Sequence, residues 1–291
     1  MTKKKFNKSN MSAGITGFID ILGFGNRVLE ANDDRAISTI VESVRFVQSE
    51  FDFDPEKTEL EPTQKTVLAF SDCIVLNIPF ESEVTEYVGT FDGFMFEFYR
   101  IALAQIRCIE QSIFLRGGLD SGWWFKDGDI VVSHSLVNSY LIEGKANVPI
   151  IALSKELYNK FANHPDIEEV YNGNTDILDD MFNIYEADDQ KWYFINYLSL
   201  ALDSVSWGTD GEQIDRFRNA ESPEEKDKIR SIGYKKNIEH LFNTHKREIL
   251  KAYLKAGNDK VKAKYEWLAS YHNRVVNARL GNNQLQCTLS D

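Results

Sequence analysis

The stretch GFIDILGFGNRV, residues 17–28, places a carboxylate inside an apolar run. Gly17, Phe18, Ile19, Ile21, Leu22 and Phe24 have the character of a buried strand, yet Asp20 stands among them and glycines follow at 23 and 25. Holding a carboxylate charge in apolar surroundings costs on the order of several kcal/mol unless a partner compensates it. Helix capping does not account for Asp20, because a cap adjoins its helix and four apolar or glycine residues separate Asp20 from Gly25. The glycines suit a strand-to-helix turn whose bare backbone lets amides approach phosphate oxygens.

The periodicity downstream says which fold brings a partner to this strand. A strand over 15–24 leads into a helix from Asn26 to Phe51, where Val28, Leu29, Ile37, Ile40, Val41, Val44 and Val47 follow helical spacing. The charged stretch DFDPEKTELEPTQ reads as a loop, and KTVLAF and CIVLNI read as two strands separated only by Ser71 and Asp72. Residues 90–111 return to helical spacing. SIFLRGGLDSGWWF and GDIVVS follow as strands, HSLVNSYLIEGKA as a helix, VPIIALS as a strand and KELYNKFA as a helix. This order predicts an α+β fold, a ferredoxin-like βαββαβ core with added strands and helices. In that plan the first strand and the hairpin are neighbours, so Asp20 and Asp72 converge. Two such carboxylates with apolar backing form a site for a hard divalent cation, magnesium or manganese.

Beyond residue 172 the character changes, which predicts a core over 12–172 and a mainly helical extension over 173–291. The pattern from Ser222 to Arg279 is helical, opened by Ser222-Pro223-Glu224-Glu225. The tail NNQLQCTLSD is expected to fray.

With 43% apolar residues the chain has the material for a core, and its formal net charge of -12 repels a phosphate backbone. Nucleic acid is therefore not an expected partner. Three cysteines, 73, 108 and 287, form neither an even set nor a C-x-x-C pair, which argues for reduced thiols and a cytoplasmic location. The basic start MTKKKFNKSN runs into no apolar stretch fit for a signal peptide, and no run of apolar residues is long enough to span a membrane. The five histidines show no ligand spacing. Trp123 and Trp124 are adjacent in a strand, so at most one of them can stack on a ligand.

FIDILGF followed by FSDCIVL resembles the paired metal-binding segments of the class III nucleotidyl cyclases. The likeness continues in LRGGLDSGWW, in SLVNSYLIEGKA and in PIIALSKELYNKF, so that it runs in the family's order over roughly residues 15–162. The resemblance implies that Asp20 and Asp72, with the Ile21 carbonyl, hold two divalent cations, manganese or magnesium, over a nucleoside triphosphate. It implies that Leu22, Gly23, Phe24 and Gly25 cradle the phosphates and that Asn138 orients the ribose or the transition state. It also implies a homodimer, because the family's site lies between two cores.

Three positions depart from the family. Ile142 stands where an arginine steadies the transition-state phosphate, and Arg116 is the candidate to supply that charge. Leu68 and Val131 stand where adenylate cyclases select the purine with a lysine and an aspartate, which implies a different base. The helical extension with its segment KAKYEWLASYHN is similar to the bacterial anti-phage pyrimidine cyclases of Pycsar systems. That likeness implies conversion of UTP, or of CTP, to the 3′,5′-cyclic nucleotide and pyrophosphate, with a separate effector answering the product. The alternative is a catalytically silent relative that binds a nucleotide or a protein.

Overall fold

The computed structural model of the chain describes residues 8–51, 64–187 and 190–289. The charged loop expected at 52–64 lies, except for Gln64, outside them, as does most of the basic N-terminal stretch. The chain divides into two units, residues 1–196 and 197–291.

The first unit is built on a sheet. Strand β1 (Met11–Ile21) is followed by helices α1 (Phe24–Glu30) and α2 (Asp34–Glu50), a hairpin of β2 (Thr66–Phe70) and β3 (Cys73–Pro79), and helices α3 (Glu83–Val88) and α4 (Thr90–Glu110). Then come β4 (Leu115–Asp127), β5 (Ile130–Ser133), α5 (His134–Ala146), β6 (Ile151–Leu153), α6 (Lys155–Ala162), α7 (Pro165–Glu169), α8 (Asp176–Met181), β7 (Phe182–Ala187) and β8 (Gln190–Ile195). The strands lie in the order β2-β3-β1-β4-β6-β8-β7, with β5 paired to β4. β1 runs antiparallel to both β3 and β4, and β2 antiparallel to β3, which is the ferredoxin-like arrangement expected of βαββαβ.

Alternation along β1 and β4 decides what each sheet face carries. Ile15, Ile19 and Ile21 are at most 1% exposed on one face. Thr16 and Asp20 of β1, with Arg116, Gly118, Asp120 and Gly122 of β4, share the other, against which α5 lies. Gly118 permits that approach: a Cβ there would stand 2.1 Å from the Ser139 carbonyl oxygen and 2.8 Å from the Ile142 Cβ. The Ser139 hydroxyl then donates to the Thr16 carbonyl at 2.8 Å, fixing the helix to β1. Phe94 and Phe98 of α4 meet Phe161 of α6, and Phe98 meets Phe182 of β7, in ring contacts at 5.1–5.9 Å.

Three expectations are corrected. The single helix from Asn26 to Phe51 is two, because Asp33 caps α2 by accepting from the Ala36 amide at 2.7 Å. The sheet does not end before residue 173: Phe182–Ala187 and Gln190–Ile195 pair antiparallel as β7 and β8 and join β6, so the boundary between units falls after residue 196. The helical run from Ser222 to Arg279 is interrupted at 256–258, where Asn258 caps the second piece.

The second unit holds α9 (Tyr197–Asp203), α10 (Gly211–Asn219), α11 (Pro223–Lys255) and α12 (Asp259–Arg279). Its core contains a line of polar groups. The Tyr197 hydroxyl lies 2.9 Å from His245 Nε2, His245 Nδ1 lies 2.8 Å from His272 Nδ1, and His272 Nε2 lies 2.8 Å from the Leu285 carbonyl oxygen. The tail is anchored there rather than frayed: Leu285 and Cys287 are buried, and Asn273 bonds both the amide and the carbonyl of Cys287.

Candidate functional site

Asp20 stands one residue from the end of β1, opposite Arg116 of β4. Asp72 comes to it from the β2–β3 turn, where Phe70 pairs with Cys73 and Ser71 takes a left-handed φ of 55°. β3 lies beside β1, and this adjacency brings the turn to the carboxylate. One ligand atom each of Asp20, Asp72 and Cys73 lies within 4.8 Å of the others. The opening carboxylate thus has a second carboxyl as neighbour, and its charge is compensated by the Arg116 guanidinium, whose Nη2 donates to Asp20 Oδ2 at 3.0 Å and Nε at 3.3 Å.

Burial, and then the hydrogen bond and charge of Asp20, push the Asp72 carboxyl up to about 7. A donor set that retains a proton against like charge fits a divalent cation, which would discharge both carboxylates at once. The Cys73 thiol, by contrast, is pushed up to about 12 by burial and by Asp20, Asp72 and Glu143.

The turn after β1 is as open as the sequence requires at Gly23 and Gly25, where an added Cβ would meet nothing within 4 Å, and Gly23 has φ of 78°. Phe24 opens α1, which no side chain caps. Leu22 differs from expectation. Its amide donates to the Phe114 carbonyl at 2.8 Å and its side chain is buried, so it has no amide left to offer a phosphate. Ile21 closes β1 opposite Leu115.

Asn138 is on the same sheet face but elsewhere along it. Its Nδ2 donates to Asp120 Oδ2 at 2.9 Å, and Asp120 Oδ1 accepts from the Ser154 hydroxyl at 2.5 Å. Asp120 is four residues along β4 from Arg116, about 13 Å of strand, so one chain does not bring Asn138 to the carboxyl pair. Asn138 instead lines a cavity of about 580 Å³ with Lys145, Ser154, Lys155, Lys191 and Trp192. Glu156 lies among the three lysines of this lining, which keeps a net positive charge. Ile142 is 6% exposed and packs against Gly118, so no cation stands at that position. The tryptophan pair splits as strand alternation demands, Trp124 buried at 3% and Trp123 open at 43% exposure.

Glu143 is the glutamate of the family likeness in SLVNSYLIEGKA, and the sequence assigns it no role. It lies on α5 with its side chain 5% exposed and forms a close ion pair with Arg116 Nε. Its position five residues after Asn138 belongs to that likeness, but its partner is not legible until α5 is laid against β4. Asp120 was equally silent, as one polar residue in a glycine-rich strand.

No family profile matches the sequence, and no curated protein matches it. Solved structures that align with it include the adenylyl cyclase CyaB from P. aeruginosa, at 11% identity over 64% of this chain and 94% of that one, with a TM-score of 0.39. The monomeric guanylyl cyclase domain of the RhoGC fusion protein from the aquatic fungus Blastocladiella emersonii aligns at 13% identity over 64% and 95%, with a TM-score of 0.39. The guanylyl cyclase Cya2 aligns at 10% identity over 64% and 92%, with a TM-score of 0.40. The functional reading rests on the residues themselves.

Proposed function

We propose that the chain is a nucleotidyl cyclase that converts a pyrimidine nucleoside triphosphate, UTP before CTP, to its 3′,5′-cyclic monophosphate and pyrophosphate. The observation that carries the reading is the meeting of Asp20 and Asp72, brought from a strand end and a hairpin turn to within ligand distance of each other. Asp20 and Asp72, with the Ile21 carbonyl, hold the divalent cations. When bound, these acidify the ribose hydroxyl and neutralise the triphosphate. Gly23, Phe24 and Gly25 present backbone to the phosphates. Arg116 supplies a positive charge beside the carboxyl pair, and Asn138 orients substrate from the lysine-lined cavity.

Because Asn138 and the carboxyl pair are apart in one chain, the complete site is assigned to two copies. Trp123, Ile130, Val132, Val137, Tyr140 and Leu141, all 43–61% exposed on β4, β5 and α5, are the apolar surface available for that pairing. Leu68 and Val131 offer no hydrogen bonds to a purine, which supports the pyrimidine. The likeness to anti-phage cyclases in the sequence supports a defence role with a separate effector.

The test incubates the chain with each of the four ribonucleoside triphosphates and manganese. UTP is expected to yield cyclic UMP and pyrophosphate, and Asp20→Asn or Asp72→Asn each to lower the rate at least about a hundredfold. Undiminished turnover in either variant overturns the assignment. A second reading, a silent nucleotide-binding relative, is favoured by the burial of Ile142 against Gly118, and binding of a triphosphate without any turnover would select it.

A further inference from the structure

Arg116 is one cation between a half-buried acid, Asp20, and a buried one, Glu143. Its Nη2 and Nε both reach Asp20 Oδ2, while Nε is also in close ion pairing with Glu143. The three side chains are 25%, 14% and 5% exposed for Arg116, Asp20 and Glu143, so their charges are poorly screened and each depends on the others. Asp20 is also one of the two carboxylates that face each other at the hairpin. A divalent cation on Asp20 therefore competes with the guanidinium for the same carboxylate and repels it as a like charge. Had Arg116 only Asp20 as partner, it would be driven off into solvent. Glu143 gives it a second anion, in close ion pairing with Nε while the Nε hydrogen bonds Asp20, so that a guanidinium displaced from Asp20 can turn that hydrogen to Glu143 and release Nη2.

We propose that Glu143 is a positioning residue: it draws Arg116 away from Asp20 as a cation arrives and keeps the guanidinium beside the site, with Nη2 turned free for the anion that comes with the cation. The inference rests on the reading of Asp20 and Asp72 as cation ligands and adds to it a buried acid that acts through the arginine. Glu143 lowers the cost of the exchange, because Arg116 keeps an anion beside it when the cation takes Asp20.

The experiment is a double-mutant cycle on manganese binding by the full chain, read without substrate from the electron paramagnetic resonance signal of free Mn²⁺. Arg116→Gln removes the competitor, and binding tightens about tenfold, equal to ~1.4 kcal/mol. Glu143→Gln leaves Arg116 with Asp20 as its ion-pair partner among the described residues, and binding weakens about tenfold, whereas Glu143→Asp keeps the charge and stays within about threefold of the parent chain. In the Arg116→Gln background, Glu143→Gln changes nothing further. A merely structural Glu143 would weaken binding by the same factor with or without Arg116, and that outcome overturns the proposal, as does an Arg116→Gln variant that binds no tighter. If Glu143→Gln does not fold, Glu143→Asp and Arg116→Gln still read the competition. Manganese binding that is indifferent to Asp20→Asn would remove the parent reading and this inference together; binding that depends on Asp20 but shows an additive cycle removes this inference alone.

Discussion

Asp72 pairs a fold-dependent position with a fold-dependent proton. Its carboxyl is raised from its ordinary value to about 7 by burial and by Asp20. Between its ordinary range and about 7 the folded chain holds a proton that the unfolded chain has released. Stability from this group is accordingly greatest in acid and falls as pH rises toward 7. In the absence of divalent cations, the melting temperature of the parent chain is expected to drop from pH 5 to pH 8 more steeply than that of Asp72→Asn, which has no proton to lose there. Manganese should reverse the slope, because a cation takes the proton's place more readily as the proton leaves. Thermal melts across that range with and without manganese check both statements, and parallel slopes for the two chains would refute the first. The pair was legible in the sequence because each carboxylate broke a strand pattern. Glu143 broke none, since a glutamate in a helix is ordinary until the face it occupies is known.

Helix α5 carries Asn138, Ile142 and Glu143, and all three take their height above the sheet from Gly118. A methyl group there would be driven into the Ser139 carbonyl at 2.1 Å. Gly118→Ala is expected to lift the helix and destabilise the chain by about 2–3 kcal/mol, read as a lowered midpoint in urea denaturation. An unchanged midpoint would mean that α5 does not rest on β4 as described. Most elements could be read from periodicity, including α5, which begins and ends with HSLVNSYLIEGKA. The failures lie where short polar caps interrupt an apolar rhythm, at Asp33 and Asn258, and where β7 and β8 alternate too irregularly to be told from helix. Pairing between distant strands supplies the missing information there, and local pattern does not carry it.

The two units answer to acidity in opposite directions. Burial, with the neighbouring His272, holds His245 well below the ordinary imidazole value, and burial lowers His272 to about 4. Below the ordinary imidazole range the unfolded chain takes up protons that these folded side chains refuse, so their contribution to stability is present above about pH 6.5 and is lost as pH falls. Amide hydrogen exchange, corrected for its intrinsic pH dependence, is expected to quicken around Phe242, His245 and His272 between pH 7 and pH 5 while β1 and β4 hold their protection. Uniform protection of α11 and α12 across that range would contradict it. The reason lies in a count of hydrogens. The Leu285 carbonyl can only accept, so His272 must give it the hydrogen on Nε2, and a neutral ring then has a bare Nδ1. That lone pair takes the hydrogen on His245 Nδ1, whose own Nε2 in turn receives from the Tyr197 hydroxyl. Every link points the same way, from the phenol to the tail, and a proton arriving at His272 Nδ1 would set two N–H groups head to head.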